Sequence, residues 1–135
     1  MFEKQINKYG RKTLESIEKS IWPDKDYGSS MIKRCLFLRK KWLQDFTAED
    51  LRLMLGQDIG TLHLLPFALN ILENDLLAEG DYYPGDLLNA VVNIDQKYWI
   101  AETKWYKYLY EKVSAREDEL KGHGVKIKNF MDLRL

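Results

Sequence analysis

The residues able to do chemistry are few and scattered. The two histidines, His63 and His123, lie far apart in the sequence. His63 falls inside an apolar run with no cysteine and no HExxH partner near it. It therefore reads as a helix histidine hydrogen-bonded in or beside the core rather than as a metal ligand. His123 stands between Gly122 and Gly124 and reads as a turn residue. The single cysteine, Cys35, occupies an apolar seam position with no neighbouring histidine, which suits a structural thiol better than a nucleophile. It cannot form an intramolecular disulfide, and a lone cysteine fits a reducing compartment. No GxSxG, phosphate loop or GxGxxG is present, and Gly60, Gly80 and Gly85 are isolated. Carboxylates are plentiful, but any surface helix supplies them in pairs. The expectation is a protein that is not an enzyme and holds no metal or cofactor.

Charge carries more. Lysine plus arginine equals aspartate plus glutamate at 21 each, so net charge points to neither nucleic acid nor membrane. The balance hides a segregation. Between Arg52 and Lys97 lie 44 residues without a lysine or arginine, and these hold seven acids: Asp58, Glu73, Asp75, Glu79, Asp81, Asp86 and Asp95. One reading is that a buried helix excludes lysine and its edges happen to be acidic. The sharper reading is an acidic surface for a basic partner, where complementary charge steers encounter and sets register. The segment Ala78-Glu79-Gly80-Asp81-Tyr82-Tyr83-Pro84-Gly85-Asp86 favours the second, since tyrosines beside carboxylates on a loop are interface composition. The tyrosines could equally rest on the first turn of the following helix. The candidate binding residues are Glu73, Asp75, Glu79, Asp81, Tyr82, Tyr83 and Asp86.

The elements that position these residues read as helices. Leu14, Ile17 and Ile21 make a short amphipathic helix, ended by Trp22-Pro23-Asp24. Gly28-Ser29-Ser30 offers capping hydroxyls for a second helix with Met31, Cys35, Leu38 and Trp42 on its seam and Lys33, Arg34, Lys40 and Lys41 on its far face. Thr47 opens a third, with Glu49 and Asp50 at the positive end of its dipole. Leu51, Met54 and Leu55 form its buried stripe, and Gly56 is a candidate cap. From Ile59 to Leu72 the chain is apolar nearly all round, the mark of a central helix, with Pro66 either in its first turn or kinking it. Pro84 suits the start of a short helix bearing Leu87, Leu88, Val91 and Val92. A long helix from Gln96 to Asp118 carries Trp99, Trp105, Tyr106, Leu109, Tyr110 and Val113, and Gly122-His123-Gly124 stops it. Val125-Lys126-Ile127-Lys128 alternates like a short strand. The expectation is an all-α single domain over residues 1–135, with five or six helices around a central apolar helix and a short extended C-terminal tail. At 135 residues, 45 % hydrophobic and 31 % charged, it needs no metal or disulfide to fold. No apolar run approaches the ~20 residues that span a bilayer, and Met1-Phe2-Glu3-Lys4-Gln5 is no signal peptide.

The middle of the chain resembles the immunity proteins of bacterial contact-dependent growth inhibition systems. The residues that carry the resemblance are Leu38-Arg39-Lys40-Lys41-Trp42-Leu43, Phe46-Thr47-Ala48-Glu49-Asp50-Leu51-Arg52 and Leu55-Gly56-Gln57-Asp58-Ile59-Gly60. To these are added Leu65-Pro66 and Leu77-Ala78-Glu79-Gly80-Asp81-Tyr82-Tyr83-Pro84-Gly85-Asp86-Leu87-Leu88. They span about Met31 to Val92. The resemblance implies a cytoplasmic protein that binds and neutralises the toxic C-terminal domain of a delivered effector. Many such toxins are nucleases. It implies a protein partner, with no direct contact to nucleic acid or membrane. In such a motif Asp50 and Asp81 could cap helices and Gly80 and Gly85 permit turns. The toxin would then meet the acidic middle, the basic second helix or the aromatic last helix. The competing reading is a helical nucleic-acid-associated or antitoxin-like regulator using Arg34, Arg39, Lys40 and Lys41. Balanced charge opposes it, because phosphate binding wants a net basic domain.

Overall fold

The computed structural model describes residues 1–23, 25 and 28–135, so Asp24 of the expected helix stop lies outside the described residues. Among them are ten α-helices: α1 (Glu3–Tyr9), α2 (Leu14–Glu18), α3 (Ser30–Leu38), α4 (Ala48–Gly56), α5 (Thr61–Asn74), α6 (Asp86–Val92), α7 (Gln96–Ala101), α8 (Thr103–Ser114), α9 (Glu117–Gly122) and α10 (Lys128–Asp132). A 3₁₀ turn, Leu43–Asp45, separates α3 from α4. The only pairing of β type among the described residues is one isolated antiparallel bridge, Glu79 with Pro84. The all-α expectation holds. The helices outnumber the expected five or six because the last one is divided and because α1 and α10 add two that the sequence reading did not expect.

Helix α5 is central. Leu64, Leu65, Ala68 and Leu69 are fully buried, Pro66, Phe67 and Leu72 are buried with them, and α1, α4 and α6 pack around it. Its exposed large apolar side chain is Leu62. Pro66 lies beyond the first turn and removes the N–H that would have bonded the Leu62 carbonyl, at the helix's most accessible apolar position. Gly60 caps α5 with φ of 63°, and a Cβ there would stand 2.7 Å from both terminal methyls of Leu14. Left-handed backbone and close approach of α2 both require glycine at this point.

Several sequence expectations are corrected. The first amphipathic stripe stops at Ile17, because Lys19 turns left-handed (φ 52°) and leaves Ile21 exposed. Ser29 caps α3 as expected, through the Ile32 N–H. Only Cys35 and Leu38 of its seam are buried, since the helix ends at Leu38, while Met31 and Trp42 stay accessible. Gly56 is the last residue of α4 rather than its left-handed cap, and Asp58 takes the positive φ instead. The N-cap of α6 is Gly85 (φ 94°), not Pro84, which is held in the bridge to Glu79.

The long C-terminal helix is three. Glu102 (φ −131°, ψ 63°) separates α7 from α8, and Arg116 (φ −137°) separates α8 from α9. A single non-helical residue barely disturbs the i, i+3, i+4 spacing, so periodicity does not register the break. Trp99, Tyr106 and Phe130 meet ring to ring, 5.3 Å between the centroids of Trp99 and Phe130 and 4.7 Å between those of Tyr106 and Phe130. The Tyr106 hydroxyl donates to the Phe130 carbonyl and accepts from the Arg134 N–H. The tail does alternate, with Val125 and Ile127 buried, yet it forms no strand. The Lys126 N–H donates to Asn89 Oδ1 and its carbonyl accepts from Asn93 Nδ2, so side-chain amides meet the groups a neighbouring strand would have met.

Leu65→Asp is expected to abolish folding. A buried unpaired carboxylate costs several kcal/mol, against a total stability of about 5–15 kcal/mol for such a domain. A circular-dichroism melt checks this; a wild-type melting temperature would contradict the central position of α5.

Candidate protein-binding site

The site is built on the first turn of α4. The Thr47 hydroxyl accepts from the Asp50 N–H and the Asp50 carboxylate accepts from the Thr47 N–H, a reciprocal capping box. Asp50 is fully buried, so its charge needs further partners. Arg34 of α3 donates to Oδ1 at 2.7 Å, and Lys41 donates to Oδ2 at 2.8 Å. Burial pushes this carboxyl up, but the hydrogen bonds from Lys41, the Thr47 N–H and Arg34 outweigh it and hold it below the ordinary aspartate value.

One residue earlier, Glu49 points the other way. Both of its oxygens accept from Arg52, each at 2.6 Å, and Oε1 also accepts from the Asp81 N–H at 2.9 Å. The Arg52 guanidinium holds the Glu49 carboxyl below the usual range, with the Asp81 amide adding to the effect. Glu49 thus fastens the loop between α5 and α6 to α4. From the other side Asp86, the first residue of α6 and buried, accepts from Gly80 N–H at 2.6 Å, Tyr82 N–H at 3.0 Å and Tyr83 N–H at 3.4 Å. Gly80 runs between the two carboxylates. A Cβ there would lie 2.6 Å from Glu49 Oε1 and 3.1 Å from Asp86 Oδ2, so a side chain would push the Glu49 carboxylate off its present position.

This clamping sets what faces solvent. Tyr82 is 70 % exposed, with the Arg52 guanidinium 4.5 Å from the centre of its ring. Asp81 and Glu79 are exposed, Tyr83 is half-buried and Asp86 lies beneath the loop. The structure therefore brings together Glu79, Asp81, Tyr82, Tyr83 and Asp86. Glu73 and Asp75 are exposed elsewhere, at the C-terminal end of α5 in a groove shared with Lys112 and Arg116. The other two acids are occupied: Asp58 accepts from Tyr98 and Thr61 hydroxyls, and Asp95 caps α7. The seven acids contiguous in a base-free stretch fall into three places. Asp81 caps no helix; its backbone is what Glu49 holds.

Glu49 and Arg52 are the members that sequence reading did not place in the site, and Gly80 was read only as a turn glycine of the loop. The Thr47-x-x-Asp50 spacing signals the capping box, but nothing local signals the contact from Glu49 to Asp81, 32 residues away.

The other two candidate surfaces look different in three dimensions. Near α3, Arg34 and Lys41 are engaged with Asp50, Lys40 with Glu15, and Arg39, almost fully buried, with Glu18 and the Ser20 carbonyl. Trp99, Trp105 and Tyr106 of the aromatic C-terminal part are core. Cys35 is buried, and burial pushes its thiol up. His63 is half-buried on α5, and His123 follows α9 at the surface. Among the described residues, no three histidine, cysteine or acidic side chains gather as a metal site, and no helix is long and apolar enough to cross a membrane.

Compared with known proteins, residues 16–109 match the sequence profile of the CDI immunity proteins, a span wider than the motif region and well over half of the chain. No curated protein and no solved structure matches it.

Two outcomes are expected. Asp86→Ala removes the acceptor for three loop amides, so Gly80 and Tyr82 N–H groups should exchange with deuterium faster, at a stability cost of about 1–3 kcal/mol. Asp50 is depressed in the folded state, so its stabilisation is present above the ordinary aspartate value of 3.8 and fades as pH falls below it. Asp50→Asn should therefore destabilise at neutral pH, and its difference from wild type should shrink as pH falls below 3.8, measured by urea unfolding.

Proposed function

This chain belongs to the CDI immunity protein family, and on that premise we propose that it binds the toxin domain of its paired growth-inhibition effector and holds it inactive in a stoichiometric complex. It does this without turnover, in the cytoplasm where a delivered toxin would act. The observation that carries the choice of surface is the clamped loop: exposed Asp81 and Tyr82 on a backbone held from two sides by Glu49 and Asp86. A loop ordered before binding loses less conformational entropy on docking. Tyrosine and arginine are the residue types that dominate interface energetics. Glu79, Asp81 and Tyr82 are the contact residues in this reading, Tyr83 supports them and Asp86 positions the loop. Glu73 and Asp75 form an outlying acidic rim.

The charge of the loop favours a toxin whose working face is basic. A nuclease has such a face, since it must hold phosphates. The acidic loop would cover that face and exclude substrate. The alternative nucleic-acid role is disfavoured by the ion pairs that occupy Arg34, Arg39, Lys40 and Lys41.

The test is titration of the toxin domain encoded by the adjacent upstream reading frame. Wild type should bind one to one, and the association rate should fall with added salt. The double variant Glu79→Lys with Asp81→Lys should lose more than about tenfold in affinity and most of that salt dependence. Unchanged affinity and on-rate would move the interface off the loop. Absence of wild-type binding and neutralisation would overturn the reading.

A further inference from the structure

A groove between α4 and α6 borders the loop, and several of the residues that clamp the loop also line it. It is lined by Arg52, Leu55 and Gly56 of α4, by Tyr82 of the loop, and by Asn89 and Asn93 along and after α6. Its charge balance leans negative. Arg52 is the one base among the described lining residues, and two of its nitrogens are already on the Glu49 carboxylate. Asp86 also lines the groove and Asp81 adjoins it. The carboxyl-terminal ends of α4 and α6, at Gly56 and Asn93, both open on it, adding the partial negative charge of helix C-termini. The Asn89 and Asn93 amides are held in place by the Lys126 backbone. Apolar surface from Ala90 and the Tyr82 ring flanks the polar end, and Gly56 leaves open space: a Cβ there would meet nothing within 4 Å.

An apolar wall leading to an electronegative end suits a long side chain with an aliphatic stem and a cationic head. We infer that this groove receives a lysine or arginine side chain of the toxin, the concave half of an interface whose convex half is the Tyr82 loop. The inference rests on the proposed immunity role and deepens it.

Gly56 allows a direct test, because its backbone is ordinary helix and a side chain there enters the groove without strain. Gly122 is a matched control: it is the last residue of α9, is equally open and lies outside the groove. With melting temperatures confirming folded proteins, Gly56→Trp should weaken binding of the upstream-encoded toxin domain by about 30-fold or more, and Gly122→Trp should not. Gly56→Lys should bind at least about tenfold more weakly than Gly56→Gln, which is similar in length but uncharged. Wild-type affinity in Gly56→Trp overturns the groove and leaves the immunity role standing. Equal affinity of the lysine and glutamine variants overturns the cationic occupant. A change confined to self-association of the chain, seen by size exclusion, overturns the toxin as occupant. Absence of wild-type toxin binding removes the groove together with the immunity role.

Discussion

The buried carboxylate of Asp50 organises the rest of the molecule. A charge with no exposed surface is tolerable only when its lone pairs are all met, and here the donors come from three directions: the Thr47 N–H, Lys41 and Arg34. Meeting that demand fixes where α4 starts and draws α3 against it. It also removes two bases from the list of free surface charges. The basic character of the α3 region is thereby directed inward, and the surface is left to other residues.

The same first turn of α4 determines the loop. Successive helical residues point about 100° apart, so Glu49 and Asp50, adjacent in sequence, serve different neighbours. Asp50 binds α3, and Glu49 binds Arg52 and the loop that follows α5. Asp86 completes the clamp from α6. Because α4 and α6 pack against each other, the two carboxylates close on the backbone of Gly80 from both sides. The Tyr82 side chain is left outside this clamp, its ring backed by the Arg52 guanidinium. A rigid scaffold with one ordered, protruding loop is the arrangement that lets a small protein recognise a larger one at modest entropic cost.

The C-terminal third supports this from behind. Trp99, Tyr106 and Phe130 interlock, the Tyr106 hydroxyl bonds the Phe130 carbonyl, and Lys126, just before α10, reaches Asn89 and Asn93. Phe2 packs edge-on against Trp105 and Tyr108, which draws the first helix to the last long one. These contacts are long-range and leave no local signature.

The all-α class, the central place of α5, the caps at Ser29 and Thr47 and the presence of an acidic tyrosine loop were legible in the sequence. They depend on spacings of three or four residues or on composition, and such signals survive without knowledge of neighbours. The stop of the first stripe after Ile17, the division of the last helix at Glu102 and Arg116, and the helical end of the tail were not. Each depends on what packs against the segment. The candidate site divides in the same way. Its exposed members Glu79, Asp81 and Tyr82 could be named from the sequence, whereas Glu49 and Arg52 could not. Nor could the sequence separate Glu73 and Asp75 from the loop, or show that Asp86 faces inward. Charge along a chain is one-dimensional, but carboxylates are allotted to a surface or to a buried network by the packing of helices distant in sequence, and only the tertiary structure decided that allotment.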